Sequence, residues 1–360
     1  MELNDDIIYY WLSVSGLSSR KANALLAHYT PLQLWEEVGT TLTEVRYFGE
    51  RAYEALLRYR NYDFLQRSLD GLDGMGISFL PQNRFPECLA QPQVDPPILL
   101  YYRGDISLIH TNCVAVVGTR ACSPYGKEAT TRLTTDLCNY NITIVSGLAT
   151  GIDMYAHRAA IKANGKTIAV LGSGLNNMAP VSNLPLYNDI LASGGLVLSE
   201  YAPSYPASKY TFPERNRIVS GLSQGIIVVE AGLKSGALIT ASMAAEQNRI
   251  VFAVPSNITN LKAVGSNRLL LDGAIAALTA QDICETLGFS FGKIEKKERA
   301  IQLDIFEQKI YNILSDGDED FDSLVLKAEL APPKLSALLA TMEIKGLVQR
   351  KPSNVYGLVQ

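Results

Sequence analysis

The sequence predicts an α/β protein: a Rossmann-like, doubly wound parallel sheet at the centre, a helical domain before it and a winged helix after it. Three observations carry this. Short, uniformly apolar runs alternate with helical stretches through the middle of the chain. Several of these runs end in glycine, as strands do where a loop must turn tightly into a helix. The last part of the chain reads as three helices followed by two short strands around a turn.

Residues 1–75 carry apolar residues at helical spacing over 7–12, 19–28, 31–37 and 49–69, which predicts a helical, SAM-like domain. Between the first two helices, residues 14–18 are similar to a helix-hairpin-helix turn, whose amides can hold a phosphate; Ser18 stands where a second glycine is usual. Residues 76–290 form the sheet domain. Strands are expected at 114–117, 142–145, 167–171, 196–199, 225–230 and 250–254, with helices at 126–140, 153–163 and 238–248. Residues 291–302 are a charged linker. Residues 303–360 give helices at 303–314, 321–330 and 332–345, then strands at 347–350 and 355–358. Such a module can place its last helix in a DNA groove. That helix carries only Lys334 and Lys345 as cations, and 316–322 is acidic, so a protein partner is as good an expectation as duplex DNA.

At 360 residues the chain has room for two or three cores. Its 47% hydrophobic and 19% charged residues fit a globular protein, and no run approaches the roughly 20 apolar residues of a membrane span. The start, MELNDDIIYYW, lacks the basic-then-apolar plan of a signal peptide, so a cytoplasmic location is expected. The five cysteines and three histidines are scattered, without metal-ligand spacing; no metal and no cofactor is expected. Net charge is −4, which argues against indiscriminate nucleic-acid binding. Residues 101–290 nonetheless hold 14 Lys and Arg against 12 Asp and Glu, the one net-positive segment, so a nucleic-acid site there would be a local patch.

The segment KYTFPERNRIVSGLSQGIIVVE (209–230) offers such a patch. Lys209, Arg215 and Arg217 are interleaved with Tyr210 and Phe212. Cations track phosphates, and an aromatic ring gives any base a face to stack on. Three strand-end loops add anion-binding potential. Gly118-Thr119-Arg120 leads through Ser123 and Gly126 into a helix. Ser146-Gly147-Leu148-Ala149-Thr150-Gly151 leads into Asp153 and His157. Glu230-Ala231-Gly232-Leu233-Lys234-Ser235 leads into the helix after it. Asp153 and His157, four apart on one helix face, could bond to each other; no nucleophile or metal accompanies them, so they read as structural. The sequence has no GxGxxG after the first of these strands and no GxxxxGK[ST], which speaks against dinucleotide binding and P-loop ATPase chemistry.

Taken together, SGLATGID (146–153), FPERNRIVSGLS (212–223), VVEAGLKSGALITA (228–241) and VGSNRLLLDGA (264–274) closely resemble the DNA-processing protein A family (DprA, also called Smf), over residues 80–285. The resemblance implies a protein without catalytic activity that binds single-stranded DNA entering during natural transformation, shields it, and loads the RecA recombinase on it, acting as a homodimer through the Rossmann-like domain. It assigns phosphate contacts to Arg120 and Lys209 and base stacking to Phe212, with Gly118, Thr119, Ser146, Gly147 and Gly151 lining the pocket and Lys234 and Ser235 as further contacts. Arg215 and Arg217 match the family's FPxRNR, and one of the two is expected to brace Glu200 or Glu230. The alternative is a phosphoribohydrolase-like nucleotide-processing enzyme with Glu230 or Asp153 as its carboxylate.

Overall fold

The computed structural model describes residues 3–39, 49–289, 303–351 and 354–358; the expected linker lies outside them. The chain forms two compact units, Met1–Phe291 and Gly292–Gln360.

The first unit is built on a nine-stranded sheet. In chain order the strands are β1 (Ser78–Pro81), β2 (Leu99–Gly104), β3 (Cys113–Val117), β4 (Thr143–Ser146), β5 (Thr167–Val170), β6 (Leu196–Ser199), β7 (Gly225–Val228), β8 (Ile250–Ala253) and β9 (Ile275–Ala276). Their spatial order is β1-β2-β6-β5-β4-β3-β7-β8-β9. From β6 to β9 every pairing is parallel, while β1 and β2 add an antiparallel edge that the sequence pattern did not reveal. The chain winds outward from β3 through β4 and β5 to β6, then returns to lay β7 on the other side of β3. This reversal is the topological switch point of a doubly wound sheet.

Every residue of β3 is buried because helices cover both faces. Ala115 and Val117 face Ile218, Val219 and Ala241 of the helices Thr211–Gly221 and Gly236–Glu246. Val114 and Val116 face Leu137 and Ala156 of the helices Pro124–Asn139 and Ile152–Lys162. The period-two alternation thus splits one apolar run between two cores.

The expected boundary at 75/76 does not separate two cores. Trp11, Trp35 and Leu65 of the N-terminal helices share one buried cluster with Tyr101, Leu171, Tyr187 and Ile190 of the sheet and its flanking helix Leu184–Ala192. Trp11 packs edge-on against Trp35 at 5.1 Å between ring centres and donates Nε1 to the Leu56 carbonyl at 3.0 Å. Arg103 on β2 ties the two parts together, donating to the Met75 carbonyl and to Asn176 Oδ1. The single helix expected over 49–69 is two, Glu50–Tyr59 and Tyr62–Gly74. The break falls where Arg60 turns to the Val38 carbonyl and Asn61 caps the second helix through the Phe64 amide.

The second unit has the expected three helices, Ile305–Ser315, Phe321–Ala328 and Pro332–Ile344, and a wing of β11 (Val348–Lys351) and β12 (Val355–Leu358). A short β10 (Glu319–Asp320) pairs with β12. Among the described residues no helix is long and apolar enough to cross a membrane.

Candidate functional site

The carboxyl ends of β3 and β7 lie side by side. The Thr119 amide donates to the Glu230 carbonyl at 2.7 Å and the Val229 amide to the Val117 carbonyl at 3.0 Å, so both strands end in register. Beyond them the loops enclose a cleft of about 710 Å³. Its wall is made by Gly118, Thr119 and Arg120 after β3, Gly147 and Ala149 after β4, Lys234 and Ser235 after β7, and Lys209, Phe212 and Asn216 at the start of the helix Thr211–Gly221.

Three cations, Arg120, Lys209 and Lys234, are exposed at this cleft, and none forms an ion pair with a described carboxylate. Half-buried Phe212 lies among them. The Arg120 guanidinium sits 5.2 Å from the centre of the Phe212 ring, and Lys209 Nζ sits 5.0 Å from that of Tyr210, a ring 67% exposed. The site therefore pairs cations with aromatic faces at its rim.

Five of the expected contacts do other work. Residues 209–217 read as a basic run in the sequence, but from Thr211 they are helical, and the helix turns its two arginines away from solvent. Arg215 is only 4% exposed; its Nη1 donates to the carbonyls of Gly147 and Val170 at the ends of β4 and β5. Arg217 is off the cleft wall and holds both Glu200 oxygens, at 2.8 and 2.7 Å, and the Asp95 carbonyl. Glu200 is thus the braced carboxylate, by Arg217. Ser146 is fully buried and donates to the Val116 carbonyl at 2.7 Å. Gly151, at φ +78°, packs its α-carbon against the backbone of Thr119 and Arg120, where a side chain would collide. Gly147 likewise makes room for a protein group: a β-carbon there would lie 2.5 Å from the Arg215 guanidinium.

Two of the three loops expected to receive an anion already hold an internal carboxylate. Glu230, fully buried, accepts from the Ser123 amide at 2.7 Å, the Ser123 hydroxyl at 2.6 Å and Asn260 Nδ2 at 2.9 Å. Its carboxylate therefore occupies the N-terminus of the helix Pro124–Asn139, held by a serine and an asparagine and not by the arginines the sequence suggested. Nothing in the local sequence around Asn260 signals this partnership. Asp153 accepts from the amides of Gly147 and Ala149 at 3.1 and 3.4 Å. Burial pushes the Asp153 carboxyl above the ordinary range, against the pull of Arg215 and of those two amides.

Asp153 does not bond to His157. His157 is fully buried and its Nδ1 lies 2.7 Å from Thr167 Oγ1, whose own proton goes to the Ile144 carbonyl. The imidazole therefore carries a proton on Nδ1. Burial pulls it from 6.5 down to about 3. Below pH 6.5 an unfolded chain takes up a proton here that the folded chain refuses. This contribution to stability is complete above about pH 6.5 and declines toward pH 3, by at most ~1.4 kcal/mol per pH unit. Thermal unfolding followed between pH 8 and pH 5 should show the midpoint falling on the acid side, and a flatter profile in His157→Asn; parallel profiles would mean that His157 does not titrate on unfolding.

Residues 77–288 match the family described as DNA recombination-mediator protein A. The chain belongs to this family. Residues 295–354 of this DprA-family chain also match the DprA winged helix domain. It is 33% identical to protein Smf of Escherichia coli over 95% of this chain and 93% of that protein. It is 42% identical to the DNA processing protein DprA of Bacillus subtilis, over 63% of this chain and 76% of that one. Among solved structures, DprA of Streptococcus pneumoniae aligns with 81% of this chain and all of its own, at a TM-score of 0.68 and 33% identity. Another, described as showing a unique single-stranded DNA binding mode of DNA processing protein A from Helicobacter pylori, aligns with 60% of this chain and 97% of its own, at a TM-score of 0.54 and 33% identity.

Proposed function

We propose that this protein binds single-stranded DNA in the cleft at the β3/β7 switch point, without catalysing a reaction on it, during natural transformation and recombination. One observation carries the reading: Arg120, Lys209 and Lys234 are exposed and unpaired by described carboxylates around Phe212, while Asp153 on the cleft wall and Glu230 after β7 are buried and satisfied from within. Cations hold the phosphates, and Phe212 stacks a base without reading its identity. Relatives named as DNA processing proteins, and the Helicobacter pylori relative described as binding single-stranded DNA, support it.

The same reading extends to a cytoplasmic protein that shields the strand and loads the RecA recombinase on it, working as a homodimer through the Rossmann-like domain. The apolar end of that domain is a reasonable contact surface, since Leu261, Leu271 and Leu278 are 83%, 79% and 63% exposed there. The phosphoribohydrolase-like alternative is less favoured: Glu230 is off the cleft wall and fully engaged by Ser123 and Asn260, and Asp153, which does line the cleft, is buried and accepts from the Gly147 and Ala149 amides. The winged helix gives little support to duplex reading: its Lys309, Lys327, Lys345 and Lys351 each pair with a carboxylate.

The test is fluorescence anisotropy of labelled oligo-dT beside a duplex of equal length. The single strand should bind more tightly and lose affinity with salt, and Phe212→Ala should weaken it by roughly tenfold, the worth of one stacked base. Equal binding of single strand and duplex, with Phe212→Ala unchanged, would remove the assignment.

A further inference from the structure

The cleft accounts for Phe212 and leaves a second aromatic group on the same edge of the sheet unused. Tyr201 and Tyr205 lie after β6 with ring centres 5.0 Å apart and planes 19° from parallel, a stacked pair. Tyr205 is 47% exposed. The pair is held in place from three sides. The Tyr201 hydroxyl donates to Glu214 Oε2 at 2.9 Å, in the same helical turn that carries Phe212. The Tyr205 amide donates to the Ala202 carbonyl, and the Tyr205 carbonyl accepts from the Gly174 amide at 2.9 Å. Two residues before Gly174, a β-carbon on Gly172 would lie 2.9 Å from Phe212 Cδ1. Phe212 and Tyr205 are thus anchored to one short loop after β5.

With Phe212 packed part-way along at the loop after β5, the path from the β3 end of the cleft, where Arg120 lies, to the end of β6 crosses three strand spacings, about 14 Å. That is several times the ~3.4 Å rise of a stacked base. Charge along the path decides what would face it. Glu200 is neutralised by Arg217, while the Glu214 carboxylate, among the described residues, accepts only from the neutral Tyr201 hydroxyl, so this end offers a phosphate a carboxylate and no partner. A phosphate has nothing to gain here, whereas a base does.

We propose that Tyr205, backed by Tyr201, is a second base-stacking platform that extends the single-strand footprint from the Phe212 cleft along the β4–β5–β6 edge. The inference rests on the cleft's being a single-strand site. A rigid tyrosine pair offers a flat face at little entropic cost, because both rings are already ordered. Phosphates of this stretch stay in solvent, so it adds length-dependent affinity without adding salt dependence.

The test is a ladder of labelled oligo-dT from about four to about sixteen nucleotides, the span of common single-strand site sizes. Tyr205→Ala should bind the shortest oligomers as the wild type does and lose about tenfold on the longer ones, with the slope of affinity against salt unchanged. Tyr205→Phe should keep the full affinity, since the ring and not the hydroxyl is used. Phe212→Ala should weaken every length. Wild-type binding by Tyr205→Ala at all lengths, while Phe212→Ala is weakened, would overturn the platform and leave the cleft standing. An equal loss at every length would also overturn it, by showing a disturbed cleft. Unchanged binding in Phe212→Ala as well would take away the cleft assignment itself.

Discussion

Arg120→Ala should lower affinity for oligo-dT by roughly 10- to 100-fold, the range expected for losing one charge-assisted, bidentate phosphate contact. Two features set the size of the effect. Arg120 is exposed at the cleft and unpaired with any described carboxylate, so its full charge is available to a ligand. It also lies over the Phe212 ring at 5.2 Å, so its loss loosens the stacking face too. The slope of log affinity against log salt should become shallower by about 0.7, the share of one phosphate on a single strand. Arg120→Lys should fall between, since it keeps the charge and loses the planar fork. Anisotropy titrations at two salt concentrations measure both quantities. Wild-type affinity and slope in Arg120→Ala would show that the strand does not pass this rim.

Arg215→Ala should act on stability. Its removal leaves the carbonyls of Gly147 and Val170 without their donor and Asp153 without its nearest cation, all in buried surroundings. Losing one partner of a buried charged group costs about 3–5 kcal/mol, or roughly 10 °C in the unfolding midpoint of a domain this size. Both tryptophans, Trp11 and Trp35, are buried in the cluster that joins the N-terminal helices to the sheet. Their fluorescence therefore reports on this unit without interference from the winged helix. A midpoint within a degree of wild type, together with lost DNA affinity, would make Arg215 a ligand contact and not a brace.

These two variants separate residues that the sequence put in one class. Arg120, Lys209, Arg215 and Arg217 look alike in a linear reading because each is a cation close to an aromatic residue or a glycine. Secondary structure sorts them. Arg120 and Lys209 precede helices and stay at the rim, whereas the helix Thr211–Gly221 carries Arg215 and Arg217 inward to carbonyls and to Glu200. The parallel strands were legible because burial on both faces writes an unbroken apolar run. β1 and β2 were not, since β1 is a short edge strand of mixed burial ending in Pro81. The merging of the N-terminal helices with the sheet was hidden as well. Apolar spacing shows that a helix has an inner face, and it does not say what that face meets. The partners of Glu230 are separated from it by 107 and 30 positions, a distance at which a single sequence carries no signal.

The buried pair of carboxylates has a consequence for ligand choice. Glycine-rich loops opening into helix N-termini are where free nucleotides commonly lodge their phosphates. Here Glu230 and Asp153 accept from the amides at two of the three loops as internal partners. A mononucleotide arriving at the cleft would find two of those seats taken, and rim cations that each offer one weak point of attachment. A polymer engages several of them at once, at high effective concentration. On the proposed single-strand reading, the cleft should therefore favour a chain over its monomers, and free mononucleotides should compete poorly with a labelled strand.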